Sequence, residues 1–254
     1  MIFDTHAHYD DEQFDADRDA LLRNMPDRGV GTIVNVGASV DGCRACVRLA
    51  EQYDFMYAAL GVHPDEVGSI DDDFFSWMRM EAQTNPKVVA IGEIGLDYHW
   101  DVEPRDVQKE WFVRQIELAR ELSLPIAVHS RDAAQDTFDL ISRYGREIAG
   151  ILHCFSYSPE MAAEYVKLGY HIGLGGAVTF KNAKKAKETA RIIPLEHIVL
   201  ETDCPYMAPT PFRGKRNSSD LIDYVAAEIA RIREIPKEEV IAVTEENAKR
   251  LFGL

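Results

Sequence analysis

Met1-Ile2-Phe3-Asp4-Thr5-His6-Ala7-His8 opens the chain with an apolar run that ends in two imidazoles one residue apart. In an extended strand alternate side chains share a face, so one short strand can direct His6 and His8 the same way. Four later stretches repeat the pattern, an apolar run ending in a group able to ligate a metal. They are Val88-Val89-Ala90-Ile91-Gly92-Glu93, Pro125-Ile126-Ala127-Val128-His129, Gly150-Ile151-Leu152-His153 and Ile198-Val199-Leu200-Glu201-Thr202-Asp203. Each reads as a short buried strand with a polar tip. Several such strands call for one shared floor on which the tips converge.

The rest of the chain keeps to the same alternation. Strand starts are expected at Ile2, Thr32, Met56, Val88, Pro125, Gly150, His171 and His197. Amphipathic helical patterns fall between them at 17–27, 41–53, 72–83, 106–122, 133–144, 159–168 and 183–192, followed by 219–232 and a terminal helix at 237–252. Alternating strands and helices call for a parallel sheet covered by helices. Eight such units in 254 residues predict an α/β fold, a closed (β/α)8 TIM barrel with an additional C-terminal helix. Catalytic groups in such barrels come from the C-terminal ends of several strands. His6, His8, Glu93, His129, His153 and Asp203 all fall at or near such ends, on strands 1, 4, 5, 6 and 8. An open doubly wound sheet is the competing architecture, but the chain has neither a Gly-x-Gly-x-x-Gly fingerprint nor a Walker-type phosphate loop.

With 46% hydrophobic residues the chain can bury a sizeable core, and no Pro/Ser-rich linker divides it, so a single domain over residues 1–254 is expected. No apolar stretch approaches the ~18 to 20 residues of a membrane span, and the first residues lack a basic region leading into an apolar signal run. The expectation is a cytoplasmic protein with no membrane association and no obligate protein partner. Four scattered cysteines do not make a disulfide framework. Cys43 and Cys46 form Cys-x-x-Cys inside a helical pattern without a second pair, which points to helix packing. Cys154 and Cys204 directly follow His153 and Asp203, so strand alternation turns them outward, toward the helices.

Seven stretches, taken in order, are similar to the TatD family of metal-dependent deoxyribonucleases, within the wider group of amidohydrolase-like metal barrels. They are Phe3 to His8, Gly61-Val62-His63-Pro64, Gly92 to Asp97, Pro125 to Arg131, Leu152 to Ser156, Glu201 to Pro205 and Arg213 to Asn217. Each is weak alone, but together they are specific and cover essentially the whole chain. The resemblance implies two divalent ions, Zn, Mg or Mn: His6, His8 and Asp203 would hold one, His129 and His153 the other, and Glu93 would bridge them. Imidazoles and carboxylates suit such ions, and the lack of a cysteine ligand argues against a closed structural zinc site. Paired ions about 3.5 to 4 Å apart activate water and stabilise both the attacking and leaving oxygens of an in-line displacement.

The activity so implied is phosphodiester hydrolysis by a deoxyribonuclease working as an exonuclease on single-stranded or frayed DNA ends. Asp203 would also orient or deprotonate the attacking water. Glu201, sharing a strand face with Asp203 through i, i+2 alternation, would act as a base or support a ligand, with Asp4 as another supporting carboxylate. His63 resembles an active-site position of the family and would contact phosphate, with a loop histidine satisfied by its neighbours as the other reading. A lone His-x-His is more often structural than metal-binding; six such groups on five strand ends make the shared site. Metal-activated water also attacks carbonyl carbon, so a hydrolase of amide or aminoacyl-ester bonds is the alternative. Against it, Glu93 rather than a carboxylatable lysine occupies the strand-4 bridging position. A noncatalytic binding protein is the third reading, and the intact ligand set opposes it.

A formal charge of −15 disfavours long, tight duplex binding. Basic residues nevertheless gather near the expected active face: Arg131 after His129, Arg213, Lys215 and Arg216 after strand 8, and Lys181, Lys184, Lys185 and Lys187 after strand 7. If they surround the mouth they would contact phosphate; otherwise the lysines are a solvated helix face. Two departures from the family pattern stand out. Tyr157 replaces a usual glycine, and would narrow the pocket, stack on a base or pack in its loop. Ser218 and Ser219 follow Asn217, where an acidic residue and proline are common.

Overall fold

The structure is a computed structural model describing residues 1–254. Eight parallel strands are hydrogen-bonded in sequence order: β1 (Ile2–Ala7), β2 (Val30–Val36), β3 (Met56–Leu60), β4 (Val88–Asp97), β5 (Ile126–Arg131), β6 (Gly150–Leu152), β7 (Tyr170–Leu174) and β8 (Ile198–Leu200). The helices are α1 (Arg18–Arg23), α2 (Val40–Gln52), α3 (Asp72–Thr84), α4 (Arg105–Leu122), α5 (Ala134–Tyr144), α6 (Pro159–Lys167), α7 (Lys184–Ile192), α8 (Ile222–Arg233) and α9 (Lys237–Phe252). This is the expected TIM barrel with its extra C-terminal helix. Local chemistry sets the helix starts: Ser39, Asp71 and Ser158 accept the N–H of Gly42, Phe74 and Met161 and cap α2, α3 and α6. Each such cap contributes about 1 kcal/mol.

The expected helix over 17–27 is shorter. α1 stops at Arg23, and a separate 3-10 turn covers Pro26–Arg28, because Pro26 has no N–H to continue the ladder. Strand β4 is longer than expected, running beyond Glu93 to Asp97. Strands β6 and β8 are shorter and end at Leu152 and Leu200, leaving His153, Glu201 and Asp203 in the segments that follow.

Those segments close the barrel. Ala7 bridges Cys204, His8 N–H donates to Cys204 O, and Asp203 N–H donates to His6 O. Asp4, fully buried, accepts from Thr202 N–H, Thr202 Oγ1 and Ser219 Oγ at 2.6 to 3.0 Å. The seam between first and last strand therefore also brings His6, His8 and Asp203 together. At the opposite end, α9 covers the strand starts: Asn247 donates to Leu195 O and Ile198 O, and Phe252 stacks on Phe3 at 5.8 Å. Cys43 and Cys46 are buried on α2 and pack in the main core, as expected. No helix is long and apolar enough to cross a membrane.

Candidate metal centre

At the C-terminal end of the barrel the six expected ligands converge around Glu93. Its Oε2 lies 3.5 Å from His6 Nε2 and 3.6 Å from His8 Nε2, while its Oε1 lies 2.8 Å from His129 Nδ1 and 2.9 Å from His153 Nε2. Asp203 Oδ1 stands 3.4 Å from His8 Nε2, and the two Nε2 atoms of His6 and His8 are 3.1 Å apart. One carboxylate thus faces a different histidine pair with each oxygen. Gly95 makes room for this arrangement, since its φ is +151° and a Cβ there would fall 1.9 Å from His129 O.

The proton inventory shows what these atoms need. Val36 O accepts from His8 Nδ1–H at 2.8 Å, so the neutral ring presents a bare Nε2 to Glu93 and Asp203. Asp97 Oδ2 lies 3.0 Å from His129 Nε2 and accepts its proton, which leaves Nδ1 bare toward Glu93. Lone pairs facing carboxylates repel unless a cation or a proton stands between them. Donor separations of 2.8 to 3.6 Å also match the edges, about 3.0 to 3.4 Å, of tetrahedral or octahedral shells with bonds near 2.1 Å. The residues therefore fit divalent ions on either side of Glu93.

The same carboxylates draw protons toward the imidazoles. Burial opposes charge on His8, but Asp203 and Glu93 outweigh it and raise its pKa to about 10. Burial likewise opposes charge on His129, which Asp97 and Glu93 raise to about 9. Burial pushes Glu93 up, yet His153, His129 and His6 hold it well below the usual carboxylate range.

Asp97 is the functional residue that sequence reasoning missed. Almost fully buried, it accepts the N–H groups of His99 and Trp100 on Oδ1 and holds His129 with Oδ2. Its signal was legible: four residues after Glu93 on one strand, it has the period-two spacing that places both on one face. His63 stands edge-on to His129, with ring centroids 4.3 Å apart. Its Nδ1 accepts the Asp65 N–H, and burial beside His129 lowers its pKa to about 4, so the neutral ring offers Nε2–H.

Other expectations need correction. Glu201 shares no regular strand face with Asp203, because β8 ends at Leu200 and Asp203 has φ 58°. Glu201 is completely buried, accepts the Cys154 N–H, and is raised to about 8 by burial; it supports the loop of His153 rather than lining the mouth. Cys154 does not turn to the outer helices. Its φ is 45°, and the charges of Asp203, Glu201 and Glu93 add to burial in pushing its thiol up. Of the roles left open for Tyr157, packing is the one observed: its hydroxyl bonds Ser130 Oγ and accepts the Ala133 N–H. Asp4 touches no imidazole; it accepts the His6 N–H and ties the barrel seam.

The mouth above these groups is a cavity of about 630 Å³ lined by seven carboxylates against the single guanidinium of Arg131. Arg131 lies over the exposed Trp100 ring at 5.5 Å. Lys181, Lys184, Lys185 and Lys187 do not line it, and Lys187 pairs with Glu228. Arg213, Lys215 and Arg216 line a neighbouring depression instead, where Arg216 forms a two-pronged ion pair with Asp17.

Comparison with known proteins identifies the family and the fold. The family model described as TatD related DNase matches residues 3–253. An uncharacterized metal-dependent hydrolase of Bacillus subtilis, YabD, is 46% identical over 255 residues, covering 100% of both chains. The crystal structure of YjjV, a TatD homolog from Escherichia coli K12, superposes with a TM-score of 0.92 at 32% identity, covering 100% of this chain and 98% of that one. At 16% identity, a β-aspartyl dipeptidase of Fervidobacterium islandicum shares the fold alone, with a TM-score of 0.70, covering 100% of this chain and 74% of its own.

Proposed function

Since the chain belongs to the TatD-related DNase family, we propose that it is a metal-dependent hydrolase of phosphodiester bonds acting on single-stranded or frayed DNA ends. The observation that carries this reading is the division of Glu93, whose two oxygens face two separate histidine pairs. His6, His8 and Asp203 would hold one ion and His129 and His153 the other, with Glu93 between them. Two such ions, when bound, would supply Lewis acidity at phosphorus and lower the pKa of water to near neutrality.

The chain's own residues supply orientation and proton handling. Asp203, partly exposed at 18% while the carboxylate of Glu201 beneath it is shut off, is the carboxylate placed to accept a proton from attacking water. His63 donates Nε2–H to a phosphate oxygen, being neutral at pH 7 and free at that nitrogen. Arg131, the one guanidinium of the mouth, holds the phosphate charge. Asp97 fixes the tautomer and plane of His129.

The test is hydrolysis of bis(p-nitrophenyl) phosphate and of end-labelled single- and double-stranded DNA with Mg²⁺, Mn²⁺ or Zn²⁺, using wild type, Glu93→Ala and an EDTA control. Metal-dependent shortening that disappears in Glu93→Ala is the expected result. Metal-loaded wild type that leaves every phosphodiester intact, yet cleaves an N-acyl amino acid or an aminoacyl ester, would overturn the phosphodiester reading in favour of carbonyl chemistry.

A further inference from the structure

Beside the acidic mouth lies a depression of opposite character. Its cavity is about 480 Å³, and its lining includes Arg213, Lys215 and Arg216 with no carboxylate at all, in a chain of net charge −15. Arg216 is already engaged with Asp17 and Gln13 O. Arg213 and Lys215 are exposed and enter no ion pair; the Arg213 guanidinium rests 4.1 Å over the Phe180 ring. Tyr206 and Met207 line both the mouth and this depression, so the two cavities meet there. Tyr206 is 52% exposed, and its hydroxyl is fixed by donation to Asp11.

The walls are built in advance. Asn217, buried, donates both Nδ2 hydrogens, to Thr202 O and Tyr206 O, and Thr210 N–H donates to Thr179 Oγ1. The loop after β8 runs so close to the one after β7 that a Cβ on Gly176 would fall 1.9 Å from Met207 O. The backbone of these walls is therefore set before an anion arrives, and the ordering left to be done is that of the Arg213 and Lys215 side chains.

We infer that this depression is a second nucleotide subsite: Arg213 and Lys215 take the phosphate next to the scissile one, and Tyr206, on the boundary, carries the intervening base. The inference rests on the phosphodiesterase reading above and adds to it a minimum length of good substrate. An exposed aromatic face accepts any base, and paired cations accept any phosphate, so the subsite recognises strand continuity rather than sequence. It also explains how an acidic protein selects a polyanion: the ions neutralise the mouth, and the attraction for the neighbouring phosphate is placed outside it.

The test compares TpT, with one phosphodiester, against TpTpT, with two, in the metal-loaded wild type and in the Arg213→Gln/Lys215→Gln double variant. In the wild type the second phosphate lowers KM by about 10- to 100-fold, the range for hydrogen bonds to charged groups. In the double variant that step vanishes, and Arg213→Lys/Lys215→Arg restores most of it. Both side chains are exposed and unpaired, so the substitutions leave the fold intact. Binding of fluorescein-labelled oligothymidylate, followed by anisotropy, gives a readout independent of turnover. The double variant should show a slope of log Kd against log salt flattened by about 0.7, the value for one phosphate of a single strand. If no phosphodiester is cleaved by the wild type, the functional reading falls while anisotropy still decides the subsite. An unchanged TpT-to-TpTpT step, or equal oligonucleotide affinity and salt slope in wild type and double variant, overturns the subsite.

Discussion

Histidines gather at both ends of this barrel, and only at the C-terminal end are any of them held toward the protonated form. At the C-terminal end, His8 and His129 are partly buried yet held toward the protonated form, at about 10 and about 9, because carboxylates face them, whereas burial and neighbouring histidines lower His6 and His63 to about 4. At the other end, His171 on β7 and His197 before β8 lie with ring centroids 5.8 Å apart, both with Nδ1 buried and unbonded. There burial, His197 and the guanidinium of Arg250 on α9 lower His171 to about 4, opposed only by a hydrogen bond the ring donates to the Glu196 backbone carbonyl. Burial alone therefore does not make a cation site. Carboxylates set directly against the ring do, as Asp203 stands against His8 and Asp97 against His129.

That contrast is tested first by removing its central group. Glu93→Ala should lower kcat/KM on bis(p-nitrophenyl) phosphate by at least about 10³-fold, or about 4 kcal/mol of transition-state stabilisation. A loss below tenfold would place the chemistry elsewhere. Stripping the ions comes next. A cluster of carboxylates and imidazoles that binds ions only when folded gains about 2.7 kcal/mol at a hundredfold excess over Kd, so EDTA should lower Tm by about 5 to 10 °C. His171→Asn, at the opposite end of the barrel from the proposed ligands, should leave that difference unchanged.

Asp97→Asn makes a finer cut. Removing the carboxylate that fixes the His129 tautomer should cost about 10- to 100-fold in metal affinity or activity, with the melting temperature of the EDTA-treated protein little altered. A full-strength Asp97→Asn enzyme would mean that His129 needs no such partner.

The smallest effect belongs to the opposite end. His171 has a folded pKa near 4 against 6.5 for the free side chain, so below pH 6.5 the unfolded chain binds a proton that the folded chain refuses. Stability is full above pH 6.5 and falls with pH between about 6.5 and 4, with a slope approaching about 1.4 kcal/mol per pH unit. Denaturant titrations across that window should show a flatter slope in His171→Asn.

The expected ligands were legible because each ends an apolar run, and the barrel brings the ends of parallel strands to one face. Asp97 was equally exposed to that logic, lying on β4 at an even spacing from Glu93. The failures fall where regular strand geometry stops. Cys154 and Asp203 both have positive φ, so alternation carried past Leu152 and Leu200 misplaced Cys154 and Glu201. Distance in sequence hid other facts. Arg216 looked free for phosphate until Asp17, 199 residues away, proved to hold it. Ser219, a departure from the family pattern, donates to Asp4 and accepts Tyr9 at the seam of the barrel. Helical patterning showed that the lysines of α7 share a segment, but the direction of that segment around the barrel decides whether they reach the mouth.

The central claim, that Glu93 divides a two-ion centre, is tested most directly by counting ions. Equilibrium dialysis against Mn²⁺ or Zn²⁺ with elemental analysis should give two ions per chain for wild type and for His171→Asn, and fewer than one for Glu93→Ala. Wild type that retains no ion, or Glu93→Ala that retains two, would contradict the account.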